Sequence, residues 1–309
     1  MVSRKNLLFP FWIDMAVPFF FIISGYMYSL SVDKRELKNI RDWFRSRNFT
    51  DKFLRILIPF IIIFIVELFL YKVFRRELTS RDMIYGFFTG GWGPGSYYFP
   101  VLVQLLLLFP IILWIVRQKK GWLILILIQI LFEIITLKFG MPDWIYRLLF
   151  FRYLGFVTFG VLLYQYSIGK CDVIISGILK KKYSLFVVLL LGVAIILLLN
   201  YSSYEPQLFK RWTTTSLPTI LYCLPVVFVF TQMEGLLGKV PKILDSIITT
   251  IAKSTYHIFL VQMTYYWFKL VDSTRLREQA VVGLVVCIPL GIIFYYIENF
   301  LTERLFKKT

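Results

Sequence analysis

Long apolar runs, separated by short polar or basic segments, dominate the chain. About 20 mostly apolar residues cross a bilayer as a helix, the form in which one segment satisfies all its own backbone polar groups in lipid. Nine runs fit, roughly 9–30, 53–74, 97–116, 121–138, 148–166, 184–200, 214–233, 248–270 and 279–302. They predict an all-α fold: one polytopic transmembrane helical bundle of about nine spans, occupying residues 1–309 as a single domain. The first run follows Arg4 and Lys5 as a signal peptide would. It is too long for one, carries Asp14 and lacks a small-residue cleavage site, so it reads as a retained helix. Segment 33–55 is rich in Lys and Arg, with Trp43, Phe44 and Phe53 interleaved. That pattern predicts a basic interfacial amphipathic helix in the first cytoplasmic loop.

Composition agrees with this pattern. Hydrophobic residues make up 58% of the 309 and charged residues only 17%, which argues against a soluble globular domain and against disorder. The formal net charge of +17 would suggest nucleic acid in a soluble protein. Here it fits Lys/Arg-rich cytoplasmic loops facing anionic lipid, so membrane lipids are expected partners and nucleic acid is not. The larger share of Lys and Arg falls in the loop after the first span and in 117–120, 170–182, 239–253 and 304–308. The positive-inside rule makes those segments cytoplasmic, placing the C-terminus inside and the N-terminus outside. Pro18, Pro59, Pro110, Pro218, Pro225 and Pro289 interrupt spans and tend to kink them, leaving room for a cavity.

Cys171, Cys223 and Cys287 are far apart and show neither a disulfide framework nor a metal-ligand spacing. His257 is the only histidine, which excludes a multi-histidine metal site. No metal or prosthetic group is expected. Ionisable groups within spans are expensive and usually functional. They are Asp14, Glu67, Glu133, Arg152, His257 and, near a span end, Glu298. The first four each lie about 4–7 residues, hence roughly 6–11 Å, from the outer end of their helix. Two readings stand: an outward polar pocket for a hydroxylated acceptor, or a structural ion-pair network. His257 reads first as a core histidine bonded to a neighbouring helix, with a general base as the alternative. Segment 33–55 could anchor lipid or form a cationic mouth for a phosphorylated cytosolic donor such as a coenzyme A thioester. The turn at 90–98, GGWGPGSYY, lacks the Lys-Ser/Thr end of a phosphate cradle. It reads as a tight loop or as an aromatic lip against a glycan, with Trp92, Tyr97 and Tyr98.

Several strings resemble the integral membrane acyltransferase family 3, which O-acylates bacterial surface glycans and lipid-linked sugars. Ala16–Leu30, AVPFFFIISGYMYSL, looks like its second helix, with Ser24, Gly25 and Tyr26 in place of a Ser-Gly-Phe motif. Asp51–Phe60, DKFLRILIPF, looks like its basic Arg-x-x-Arg loop, with Lys52 and Arg55 at the two basic positions. Ser96–Ile112, Arg152–Leu163 and Ser254–Trp267 look like later helices, and order and spacing match over nearly the whole chain. The family has ten core helices, the first carrying a basic residue and a histidine thought to be catalytic. This chain opens where the second helix would begin, so the resemblance implies that the first helix and that histidine are absent. Gln262 stands where many members carry histidine.

The resemblance implies transfer of an acyl group, acetyl being the expected one, from a coenzyme A thioester used as co-substrate. The implied acceptor is a hydroxyl of a cell-surface polysaccharide or lipid-linked sugar, at the bacterial plasma membrane. Arg45, Lys52 and Arg55 would hold donor phosphates, and Ser24, Gly25 and Tyr26 would shape the acyl path. Asp14, Glu67, Trp92, Tyr98, Glu133, Arg152 and Gln262 would face the acceptor, and His257 would stand in as catalytic base. The rival readings are a transporter or flippase of lipid-linked sugars, or a non-catalytic membrane partner of glycan-assembly proteins.

Overall fold

The structure, a computed structural model, describes residues 11, 15–37, 39–74, 77–201, 216–233, 241–268 and 276–306. Its helices are α1 (Ala16–Lys34), α2 (Ile40–Arg45), α3 (Arg47–Val73), α4 (Ser80–Thr89), α5 (Tyr98–Val116), α6 (Gly121–Lys138) and α7 (Asp143–Leu148). There follow α8 (Leu154–Ser167), α9 (Val173–Lys180), α10 (Lys182–Tyr201), α11 (Ile220–Gln232), α12 (Lys242–Phe268) and α13 (Leu276–Phe306). Short 3-10 turns, Phe150–Tyr153 and Leu217–Thr219, lead into α8 and α11, and no strand occurs among the described residues.

Among the described residues, six helices are long and apolar enough to cross a membrane: Ala16–Lys34, Phe49–Val73, Tyr98–Val116, Gly121–Lys138, Lys182–Leu199 and Gly283–Glu303. The other three predicted spans fall short for identifiable reasons. Run 148–166 breaks at the 3-10 turn, leaving α8 with 14 residues. Run 214–233 yields only the shorter apolar helix Leu217–Gln232. Run 248–270 lies in α12, whose 27 residues are long enough. Its Lys253, His257, Ser, Thr and Tyr residues make it too polar to count by apolarity. The basic segment 33–55 also resolves differently in detail. Only the six-residue α2 separates α1 from α3, and Trp43, expected at the interface, is 1% exposed. Its indole N–H donates to the Leu106 carbonyl at 3.1 Å, and its ring packs against Tyr28 and Phe109.

The chain divides into two compact units. The first comprises Ser3–Ser46 and Gln104–Gly238. Its centre is the pair α1 and α8, where a side chain on Gly25 would strike the Val157 carbonyl and one on Gly160 would strike the Ile22 carbonyl. Lipid provides little hydrophobic drive between helices, so close backbone approach at small residues supplies the contact instead. Phe21 stacks on Tyr153 at 4.5 Å in the same core. Helix α6 joins it where Gln129 bonds the Gly155 backbone, and Gly192 of α10 packs on the backbone of Leu221 and Tyr222.

The second unit comprises Arg47–Val103 and Lys239–Thr309. Gly291 of α13 packs against the Ile258 backbone of α12. The Tyr256 hydroxyl ties α12 to α3 by donating to the Ile56 carbonyl at 3.1 Å. Ile63, Leu260 and Met263 form the apolar centre. Gly90, Gly91 and Gly95 have φ of 87°, 101° and 93°, so the loop after α4 uses backbone conformations that favour glycine.

Candidate active site

His257 lies on α12 and is 6% exposed. Its Nε2 stands 3.6 Å from Glu298 Oε2 on α13, a contact of ion-pair length but beyond a hydrogen bond. Thr302, one turn on, donates to Glu298 Oε1 at 2.8 Å and so orients the carboxylate. The rings of Phe294 and Tyr295 wall the imidazole at 4.9 and 5.2 Å. Neither imidazole nitrogen makes a hydrogen bond among the described residues. A buried polar group without a partner costs free energy, and such exceptions call for a reason, a catalytic role among them. Exposed Arg55 of α3 acts on Glu298 through charge at longer range. Half-buried Lys52 lies three residues earlier on α3. A buried imidazole backed by a carboxylate is an arrangement suited to taking a proton from a hydroxyl.

Seven residues further along α12, about 10 Å at 1.5 Å per residue, Thr264 donates to Glu67 Oε1 at 3.0 Å. Glu67 is 0% exposed. Its Oε2 makes no well-aligned hydrogen bond among the described residues, although the Trp92 backbone acts on the carboxyl group. Gly91 presents its bare Cα to that oxygen; an added Cβ would lie 2.8 Å from it. Trp92 stacks on Phe64 at 5.3 Å and meets Tyr71 edge-on at 4.8 Å, so its ring is committed to packing. Tyr98 is buried against Phe259, and Gln262 is half-buried on α12.

The first unit holds a separate polar cluster. Tyr146 donates its hydroxyl to Glu133, with Oε1 and Oε2 at 2.7 and 2.6 Å. The Arg152 guanidinium lies over the Tyr146 and Tyr153 rings at 4.9 and 5.5 Å. Gln129, one turn before Glu133, bonds the Arg152 carbonyl and the Gly155 N–H, each at 2.6 Å. Glu133 and Arg152 thus both contact Tyr146. Asp14 lies outside the described residues. Gln129, Tyr146, Thr264 and Glu298 complete these clusters, and sequence reasoning gave none of them a role. Gln129 could have been found: it is the polar residue at i−4 from Glu133 in an otherwise apolar run.

Arg45 lines a cavity of about 560 Å³ in the first unit together with Arg41, Trp43, Trp114 and Arg117. Arg117 is held by Asp33 Oδ1 at 2.9 Å, and the Tyr164 hydroxyl donates to Asp33 Oδ2 at 2.9 Å. Lys52 and Arg55 belong to the second unit. Of the Ser24-Gly25-Tyr26 triplet, Gly25 is closed in by α8, whereas Tyr26 reaches a cavity and stands 3.5 Å from Ser167 Oγ. Among the described residues, no group of three or more His, Cys, Asp or Glu side chains could hold a metal ion.

Helices of membrane-crossing length and apolarity, with ionisable side chains buried between them, define an integral membrane protein. The family model for the acyltransferase domain of family 3 matches residues 2–296, and the chain belongs to that acyltransferase family. No curated protein and no solved structure matches it.

Proposed function

We propose that this membrane acyltransferase moves an acyl group, acetyl in the simplest case, from a coenzyme A thioester to a hydroxyl of a cell-surface polysaccharide or lipid-linked sugar. The observation that carries the reading is the His257–Glu298 pair, buried in a member of an acyltransferase family, with Nε2 on the carboxylate side and Nδ1 without a hydrogen bond among the described residues. His257 takes the proton as the acceptor oxygen attacks the thioester carbonyl carbon. The carbon–oxygen bond forms, the carbon–sulfur bond breaks, and the proton passes to the departing thiolate. Glu298 stabilises the transient imidazolium, so the imidazole is a stronger base when the hydroxyl arrives.

Coenzyme A carries phosphates, and cations are the groups to hold them. Lys52 and Arg55 on α3 supply them. Glu67, whose Oε2 faces the Gly91 backbone, accepts a hydrogen bond from a sugar hydroxyl. The site belongs to a bacterial plasma membrane, with the basic loops on the cytoplasmic face.

The test is acyl transfer from radiolabelled acetyl-coenzyme A by the purified protein in lipid nanodiscs, against a panel of polyprenyl-linked sugars. Label should appear in a sugar ester, and His257→Ala should abolish it. Transfer at the wild-type rate by His257→Ala would remove the histidine from the reaction. Sugar flux across proteoliposomes without ester formation would replace the reading with transport.

A further inference from the structure

A second cavity in the first unit, of about 440 Å³, lies between α8, α9 and α11 and includes neither the histidine pair nor the arginine-lined cavity. Its polar lining comes from Ser167, Ser176, Thr231 and Gln232; the Ser167 and Thr231 hydroxyls donate to the Tyr164 and Phe228 carbonyls at 2.8 and 2.7 Å, so the Ser176 hydroxyl and the Gln232 amide are the donors that face a ligand. Lys180 is the charged residue among those lining it, and none of them is acidic. Asp172, next in sequence to the lining residue Cys171, spends its carboxylate on the Ile174 N–H at 2.9 Å. Tyr166 and Phe228 meet edge-on at 5.5 Å and form an aromatic wall.

The cavity's level relative to lipid follows from the helices that bound it. Lys180 ends α9, and Lys182 begins the span Lys182–Leu199. Lys180 therefore stands where chain enters the bilayer, at headgroup height. Helix α9 turns Ile175 and Leu179 inward and leaves Val173 and Ile174 at 85% and 51% exposure, and Tyr183 follows at 88%. Such apolar side chains beside exposed Lys170, Lys180, Lys181 and Lys182 suit the headgroup–acyl boundary and not water. A basic pocket between membrane helices at this level matches anionic lipid in charge and in position.

We propose that this cavity holds the phosphate headgroup of an anionic phospholipid. Lys180 meets the phosphate, while the Ser176 hydroxyl and the Gln232 amide donate to the remaining phosphate or glycerol oxygens. The acyl chains leave over the apolar surface of α9 and α10. The site is independent of the acyl-transfer reading and requires only that the chain is a membrane protein.

Cys171 reports occupancy. It lines the cavity and is half-buried, whereas Cys223 and Cys287, the other cysteines of the chain, are 0% and 2% exposed. Burial pushes the Cys171 thiol up to about 11, so its alkylation by a small maleimide is slow enough to time, and it is followed by mass spectrometry on the detergent-purified protein at about pH 9. Phosphatidylglycerol should slow labelling several-fold more than phosphatidylcholine does. Lys180→Gln should abolish that difference. Lys180→Arg should retain it, and so should Lys181→Gln, which removes a charge that does not line the cavity. Equal labelling rates in Lys180→Gln and wild type without lipid establish that the variant is folded. Equal protection by both lipids, or protection that survives Lys180→Gln, would overturn the phosphate contact. Protection by free glycerol 3-phosphate at the same concentration would overturn the lipid as ligand, and no protection at all would overturn the site.

Discussion

Glu298 holds one carboxylate oxygen on the Thr302 hydroxyl and the other 3.6 Å from His257 Nε2. Two helices that meet at Gly291 and Ile258 thus bring the single imidazole of the chain to an oriented carboxylate. General-base catalysis contributes about 10²–10⁴ in rate. His257→Ala is expected to lose at least about 100-fold in turnover. Glu298→Gln, which keeps the shape but removes the charge, should lower turnover about tenfold or more while leaving the KM for acyl donor near wild type. Thr302→Val should cost less than either. Single-turnover transfer from labelled acetyl-coenzyme A measures all three, and full activity in Glu298→Gln would dismiss the dyad.

Lys52 and Arg55 are expected to act on the donor through charge. Lys52→Gln should raise the KM for acetyl-coenzyme A several-fold with little change in turnover, and the wild-type KM should rise with salt more steeply than that of the variant. Arg55→Gln should affect both constants, because Arg55 also acts on Glu298. A salt dependence identical in variant and wild type would place the donor phosphates elsewhere.

The Tyr146–Glu133 contact should be structural. Tyr146→Phe removes the hydroxyl that serves both oxygens of a 1% exposed carboxylate. Loss of one hydrogen bond to a buried charged group costs about 1–3 kcal/mol. The variant should therefore unfold at lower temperature in detergent, as followed by tryptophan fluorescence, while acyl transfer per folded molecule persists. Unchanged thermal stability would show that water or another group replaces the phenol.

Gly25 is required by the crossing of α1 and α8, because an added Cβ would meet the Val157 backbone oxygen, which cannot rotate away. Overpacking of this kind costs about 1–3 kcal/mol. Gly25→Leu should reduce the yield of folded, monodisperse protein by size-exclusion chromatography. Gly177→Ala, where nothing lies within 4 Å of an added Cβ, should not.

Asp82 caps α4 by accepting from the Thr79 backbone N–H at 3.0 Å and from the Thr79 hydroxyl at 2.6 Å. These bonds hold its carboxyl below the ordinary value. A lowered folded-state pKa stabilises the helix above the unfolded value, near 3.9, and the contribution is lost as pH falls through the folded value. Amide exchange in the first turn of α4 should show protection that persists through mildly acidic pH and disappears only below the usual carboxylate range. Asp82→Ala should remove it at every pH. Protection that is the same in Asp82→Ala would exclude the cap as its source.

Much of the membrane architecture could be read from the amino-acid order, because a run of apolar residues long enough to span lipid must close its own hydrogen bonds, and a helix does so. The same logic identified Glu67, Glu133, Arg152 and His257, and all four are buried. It also marked Glu298, but which residue pairs with which escaped it. Glu298 is 41 residues from His257 in sequence and Thr264 is 197 from Glu67, and spans apolar on nearly every side carry no periodic signal of which face meets which neighbour. Three of the spans could not be measured by eye for a related reason: a 3-10 turn before α8, or polar residues within α12, alters length and polarity without ending the apolar composition. Side-chain chemistry and the need to enter lipid are local properties of the chain. The pairing of imidazole with carboxylate, and of glycine with a neighbouring backbone, depends on helix crossings that close packing alone determines.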